Sequence, residues 1–139
     1  MIKKILPVIT VLMIITSCGP SRHSIPIEEG WDLLGEQKVN FIKDKDVIDI
    51  RSSYKFTAIR FKVEGHEIKL TGLKIYYQNG DKLEPSMDDI IAANQYSREI
   101  ELSQEGKFVN KIEFKYHTIG NVFKGRANVL VFGKRYTGY

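Results

Sequence analysis

The residues in this sequence that could do chemistry are few and scattered. Carboxylates stand in pairs at Asp88-Asp89 and at Glu99/Glu101. Glycoside hydrolysis needs two carboxyl groups roughly 5–10 Å apart across a groove. Two residues apart on a strand, Glu99 and Glu101 would leave the same face about 7 Å apart, so the distance fits. Alternating glutamates on a solvated strand face are the more ordinary arrangement, and the paired-carboxylate hydrolase is kept as an alternative. Asp44, Asp46 and Asp49 put three carboxylates around a turn and a strand start, the kind of oxygen donors calcium takes. Lys43 and Lys45 interrupt that charge and the EF-hand spacing is absent, so a solvated turn is expected and no metal is assigned. His23, His66 and His117 show neither close ligand spacing nor a His-Glu-x-x-His motif. A catalytic thiol or hydroxyl must be held beside a base. The sequence has no Gly-x-Ser-x-Gly elbow, no phosphate-cradling glycine loop and no cysteine other than Cys18. The expectation is therefore no enzyme and no cofactor. Aromatic side chains are the stronger candidates for binding. Trp31, Tyr54, Tyr76 and Tyr96 could offer ring faces to sugars or to a partner protein. The plainer alternative is that Trp31 closes one end of the core and the tyrosines pack with their hydroxyls in water.

The elements that must position these residues are strands. Ile59, Phe61 and Val63 alternate with Ala58, Arg60 and Lys62; Ile112, Phe114 and Tyr116 alternate with Lys111, Glu113 and Lys115. Ile68/Leu70, Leu73/Ile75/Tyr77 and Ile100/Leu102 repeat the period of two. Such segments read as antiparallel strands with one buried and one wet face. Ala127–Phe132 is almost continuously apolar and should be covered on both faces. Asn79-Gly80 signals a hairpin of type I′, with positive φ at both residues. Gly65 and Gly106 mark further turns. Pro85 should end a short edge strand, and Ser86 could cap one helical turn over Ser86–Asp89. Leu33, Val39, Phe41 and Ile48 join the inward residues as the expected core, and Lys134–Tyr139 reads as a frayed tail. Seven to nine short strands over about 110 residues predict an all-β domain, an antiparallel β-sandwich or jelly roll, with a barrel as the alternative.

Length and charge agree with one domain. The chain has 139 residues, 42% hydrophobic and 27% charged, with a formal charge of +4. Without Lys3 and Lys4, 19 basic and 17 acidic residues are left, interspersed and with no basic run. Nucleic acid, which selects a concentrated basic face, is excluded as a partner. One cysteine allows no internal disulfide.

The N-terminus tells the compartment. Lys3-Lys4 precede thirteen mostly apolar residues ending at Ser17, a signal-peptide pattern. Thirteen helical residues reach roughly 20 Å, short of a ~30 Å hydrocarbon core. Ile15-Thr16-Ser17-Cys18 resembles the lipobox of bacterial lipoproteins. The resemblance implies cleavage between Ser17 and Cys18 and acylation of Cys18, which several chains make firm. The organisation expected is 1–17 signal peptide, 18–30 lipidated flexible tether and 31–139 β-sandwich domain. Twelve extended tether residues span roughly 40 Å. Gly19 rather than aspartate after the cysteine, with no acidic cluster following, implies the periplasmic side of an outer membrane.

The domain also resembles a known family. Leu33-Leu34-Gly35, Ile68–Tyr77, Ser97–Leu102, Lys111–His117 and Ala127–Gly133 follow one another as in the small exported bacterial proteins grouped as domain of unknown function 2541. That resemblance implies export and an all-β domain, and it carries over no catalytic residue. The expected function is a membrane-anchored binding or accessory module for an envelope protein or a glycan. The alternatives are the glycan hydrolase and a structural spacer.

Overall fold

The computed structural model describes residues 30–39, 45–118 and 127–138. The expected signal helix, most of the tether, Phe41 and Asp44 lie outside them. Among the described residues nine strands form: β1 (Trp31–Val39), β2 (Lys45–Asp49), β3 (Phe56–Glu64), β4 (Ile68–Tyr77), β5 (Lys82–Leu83), β6 (Asp89–Ile91), β7 (Ile100–Glu101), β8 (Val109–Thr118) and β9 (Ala127–Arg135). They make two antiparallel sheets. One has the order β1-β9-β3-β7; the other has β2-β8-β4-β5, with β6 also on β4.

The inward faces meet as the alternation predicts. Ile59, Phe61, Val63, Val129 and Val131 of the first sheet and Leu70, Ile75, Ile112 and Phe114 of the second belong to one buried cluster. The rings of Phe61 and Phe114 pack across the sheets with centroids 6.1 Å apart. Each such side chain taken fully from water stabilises the fold by about 1.5–3 kcal/mol. Strand β9 lies between β1 and β3, and Val129, Leu130, Val131 and Phe132 are all buried, as its unbroken apolar run predicts.

Several expectations need correction. Leu33 is 39% exposed; a register shift between Leu33 and Gly35 breaks the alternation of β1, and Leu34 packs on the core in its place. The hairpin after β4 has positive φ at Gly80 (φ 95°) and not at Asn79. Gly80 N–H donates to the Tyr77 carbonyl and Tyr77 N–H to that of Asp81, which is a turn closed by a left-handed glycine bulge rather than type I′. No helical turn forms over Ser86–Asp89, because Asp89 already pairs with Leu70 in β6. β9 runs on to Arg135, and Tyr136 N–H donates to the Lys55 carbonyl at 2.9 Å, so the expected tail is partly strand. Lastly, Ala58 and Arg60 are not on a wet face: they are buried at 4% and 9% exposure.

Candidate functional site

The outer face of the four-stranded sheet explains that burial. Antiparallel register puts Arg60 beside Phe132 and Lys62 beside Leu130. Trp31 begins β1 on the same face, and Trp31, Ala58, Leu130 and Phe132 form a second buried cluster with Tyr96 packed against it. Tyr96 is delivered by the chain between β6 and β7. Asn94 N–H donates to the Val63 carbonyl, Val63 N–H to that of Gln95, and Ser97 N–H to that of Phe61. The Ser97 hydroxyl also accepts from Phe61 N–H at 2.8 Å. This segment therefore runs as an irregular continuation beside β3, bridged at Lys62 and Tyr96.

The Arg60 guanidinium lies 4.2 Å from the centroid of the Trp31 ring and 4.1 Å from that of Tyr96. Lys62 Nζ stands 5.2 Å from the Tyr96 centroid, and Tyr96 meets Phe132 edge-on at 5.8 Å. A cation on the face of an aromatic ring is stabilised by the ring quadrupole, by up to about 2 kcal/mol once desolvated. The two rings and the guanidinium plane are thus fixed in advance of any ligand.

Next to this stack the surface opens. A shallow cleft of about 370 Å³ is lined by Trp31, Asp32, Leu33, Arg51, Tyr54 and Arg135 among others. Arg135 donates from Nε and Nη2 to both carboxylate oxygens of Asp32, each at 3.0 Å, the bidentate geometry that suits guanidinium and carboxylate. Its guanidinium also lies 4.2 Å from the Tyr54 centroid. Tyr54 is 51% exposed. Three of the four sequence candidates are therefore gathered: Trp31 and Tyr96 through Arg60, and Tyr54 through the cleft. Tyr76 is not among them. It sits on the other sheet, where its hydroxyl donates to Glu113 at 3.3 Å and Lys111 lies over its ring. Arg60, Arg135 and Asp32 were missed by sequence reasoning. Alternation marked Arg60 only as a wet-face cation, and Asp32 and Arg135 are 103 positions apart.

The chemistry-bearing candidates fare differently. Glu99 and Glu101 both line a depression of about 380 Å³ with Thr57 and Lys134. Both are exposed, and among the described residues no hydrogen bond or ion pair holds either carboxylate. Asp88 and Asp89 are divided between cations: Asp88 pairs with Lys69 at 3.1 Å and Asp89 with Arg98 at 2.8 Å. Asp46 accepts from the Tyr116 hydroxyl at 2.6 Å, whereas Asp49, an odd number of residues on, belongs to the opposite face of β2. The two do not converge on one cation. Among the described residues no group of three or more His, Cys, Asp or Glu could hold a metal. His66 Nδ1 contacts the Glu67 carbonyl and His117 is exposed on β8; His23 lies outside the described residues, as does Cys18.

On the five-stranded sheet, Thr71, Lys74, Glu84, Glu113 and Lys115 border a cleft of about 240 Å³. The Lys45 ammonium bonds Glu113 at 2.7 Å and holds its carboxyl below the usual carboxylate range. Lys82 does the same to Glu84 at 2.9 Å.

A family model described as "Domain of unknown function (DUF2541)" matches residues 7–133. No curated protein matches the chain. Among solved structures the chain is similar to AlgX of Pseudomonas aeruginosa, with a TM-score of 0.42 and 12% identity. The match covers 72% of this chain and 26% of that one, so the chain spans about a quarter of AlgX.

Proposed function

We propose, for a chain that belongs to the family of the domain of unknown function DUF2541, that it is a non-catalytic binding or accessory module of the bacterial envelope. Its anchor is lipid on Cys18, and it stands on the periplasmic face of the outer membrane. The observation that carries the binding reading is the Arg60 guanidinium held between Trp31 and Tyr96, beside the exposed Tyr54–Arg135–Asp32 group. Tryptophan, tyrosine and arginine are enriched in binding hot spots, and the two aromatic rings bury much surface with only two torsions each to freeze. Here their geometry is set before binding, which lowers the ordering cost of association. The partner is an envelope protein or a glycan. The lipobox at Ile15–Cys18 supports the anchor.

The test is site-specific photocrosslinking of the full chain in living cells. A photoreactive residue at Leu33 or Tyr54 should capture one discrete partner, and the same group at Phe108 should not. Equal capture from all three positions would remove the site. In parallel, thermal unfolding against peptidoglycan fragments, outer-membrane sugars and calcium separates glycan from protein. A ligand at a hundred times its dissociation constant adds about 2.7 kcal/mol, a rise of roughly 10 °C for a domain of this size. No rise with any glycan, joined to a captured protein, assigns a protein partner. No rise and no captured protein leaves the structural spacer.

A hydrolase is the second reading, favoured by one observation: Glu99 and Glu101 line the same depression. Glycan turnover that disappears in both Glu99→Gln and Glu101→Gln would establish it.

A further inference from the structure

The two outer faces of the sandwich differ in charge. Among described residues, the four-stranded sheet carries Lys38, Arg60, Lys62 and Lys134 against Glu36, Glu64, Glu99 and Glu101, which balance. The five-stranded sheet carries six lysines: Lys45, Lys69, Lys74, Lys82, Lys111 and Lys115. Register places Lys111 beside Tyr76, Lys82 on its other side, and Lys115 beside both Lys45 and Gly72. Four carboxylates accompany them. Glu113, Asp88 and Glu84 are each bound by one of these lysines, and the fourth is Asp49. A positive excess therefore remains over this sheet, with Lys74 and Lys115 on the rim of its central cleft.

Two apolar side chains stand in the same field. Val47 is 44% exposed and Ile90 60% exposed. Val47 pairs with Glu113 and Ile90 with Lys69, which fixes both on the lysine face. They flank it from either side, three strand spacings across the sheet and four residues along it, roughly 20 Å apart.

We propose that this face lies on the anionic headgroup surface of the membrane that carries the chain. The inference rests on the reading of Cys18 as a lipid anchor. Lysines near a bilayer are drawn to headgroup phosphates, and exposed apolar side chains among them enter the boundary below. A soluble polyanion would satisfy the lysines and leave Val47 and Ile90 in water, so the lipid surface fits both kinds of residue. Twelve residues, Gly19 to Gly30, can span at most roughly 40 Å, several times the ~10 Å separation of packed sheets, a length that allows either face to lie down. Docking through the five-stranded sheet turns Trp31 and Tyr96, on the outer face of the other sheet, away from the membrane, toward a partner.

The experiment uses the full chain, expressed in a bacterial host and reconstituted in vesicles of phosphatidylcholine alone or with phosphatidylglycerol. A fluorophore is placed at Val47→Cys or at Leu33→Cys on the opposite sheet, and nitroxide-headgroup lipid is the quencher. The Val47 label is expected to be quenched in anionic vesicles and released by high salt. Lys74→Glu with Lys115→Glu should lose that quenching, weakening docking about fivefold per lysine removed, while the melting profile confirms the fold. The Leu33 label should stay bright. Equal quenching of the two labels, or equal quenching of Val47 in neutral and anionic vesicles, would overturn the proposal. Polyphosphate raising the melting midpoint while Val47 stays unquenched would overturn it in favour of a soluble polyanion. Palmitate incorporation, absent in Cys18→Ser, reports the anchor separately. A chain without palmitate that still shows salt-sensitive Val47 quenching would refute the anchor and keep the face.

Discussion

Removing the Arg60 charge alone does not measure the stack that holds it. Arg60 is 9% exposed, so folding costs it hydration, and Arg60→Met relieves that cost while discarding the ring contacts. The two effects oppose each other, as they do for buried ion pairs. A double-mutant cycle separates them, because the desolvation term is common to both rows. The cycle takes the native chain, Arg60→Met, Tyr96→Leu and the double variant. With the guanidinium 4.1 Å from the Tyr96 centroid and largely out of water, the coupling should be about 1–2 kcal/mol. A value of that size changes the folded-to-unfolded ratio roughly 5–30-fold. Urea unfolding at matched slopes reads it directly, since a shared slope shows that the same surface is exposed. The same cycle with Trp31→Leu should give a similar figure from its 4.2 Å contact. Coupling below about 0.3 kcal/mol in both cycles, within the error of additivity, would refute the claim that the stack is pre-organised by cation–ring attraction.

Phe61→Ala opens a void where the two sheets meet Phe114, and should cost about 3–5 kcal/mol, a fall of roughly 12–20 °C in melting midpoint. Gly133→Ala places a methyl 2.6 Å from a Phe56 ring carbon and 2.8 Å from Leu34. Overpacking there should cost about 1–3 kcal/mol by urea unfolding, and a neutral result would mean the core yields at that point. Lys45 depresses the Glu113 carboxyl, so the stability it contributes is present above the ordinary carboxylate value and is lost as pH falls through the lowered one. The difference in melting midpoint between the native chain and Glu113→Gln should therefore shrink on acidification, and a gap constant from neutral to strongly acid pH would exclude this linkage. Tyr54→Ala, at a half-exposed position, should leave the midpoint within a few degrees and abolish partner capture from Leu33.

The sequence by itself determined the strands and which side of each faces inward. A period of two states which residues leave together, and burial of Ile59, Phe61, Val63, Ile112 and Phe114 follows from it. It also determined the central place of β9, because the run Val129–Phe132, apolar at four successive positions, needs cover on both faces. It misread Leu33, since one register shift moves every later side chain to the other face, and no residue type announces that shift. The Gly65 turn was legible as a turn, but not as the link that carries the chain from β3 in one sheet to β4 in the other. The aromatic candidates were legible as residues and not as a group. Only the tertiary structure decided that Tyr96, delivered by an irregular segment beside β3, would meet Trp31 from the first strand with Arg60 between them. It likewise decided that Arg135 would close on Asp32 and Tyr54, and that Tyr76 would stand apart among lysines of the other sheet. Local pattern records what each strand must bury; which strands become neighbours is set by pairing across the whole chain, and the candidate site is made of such neighbours.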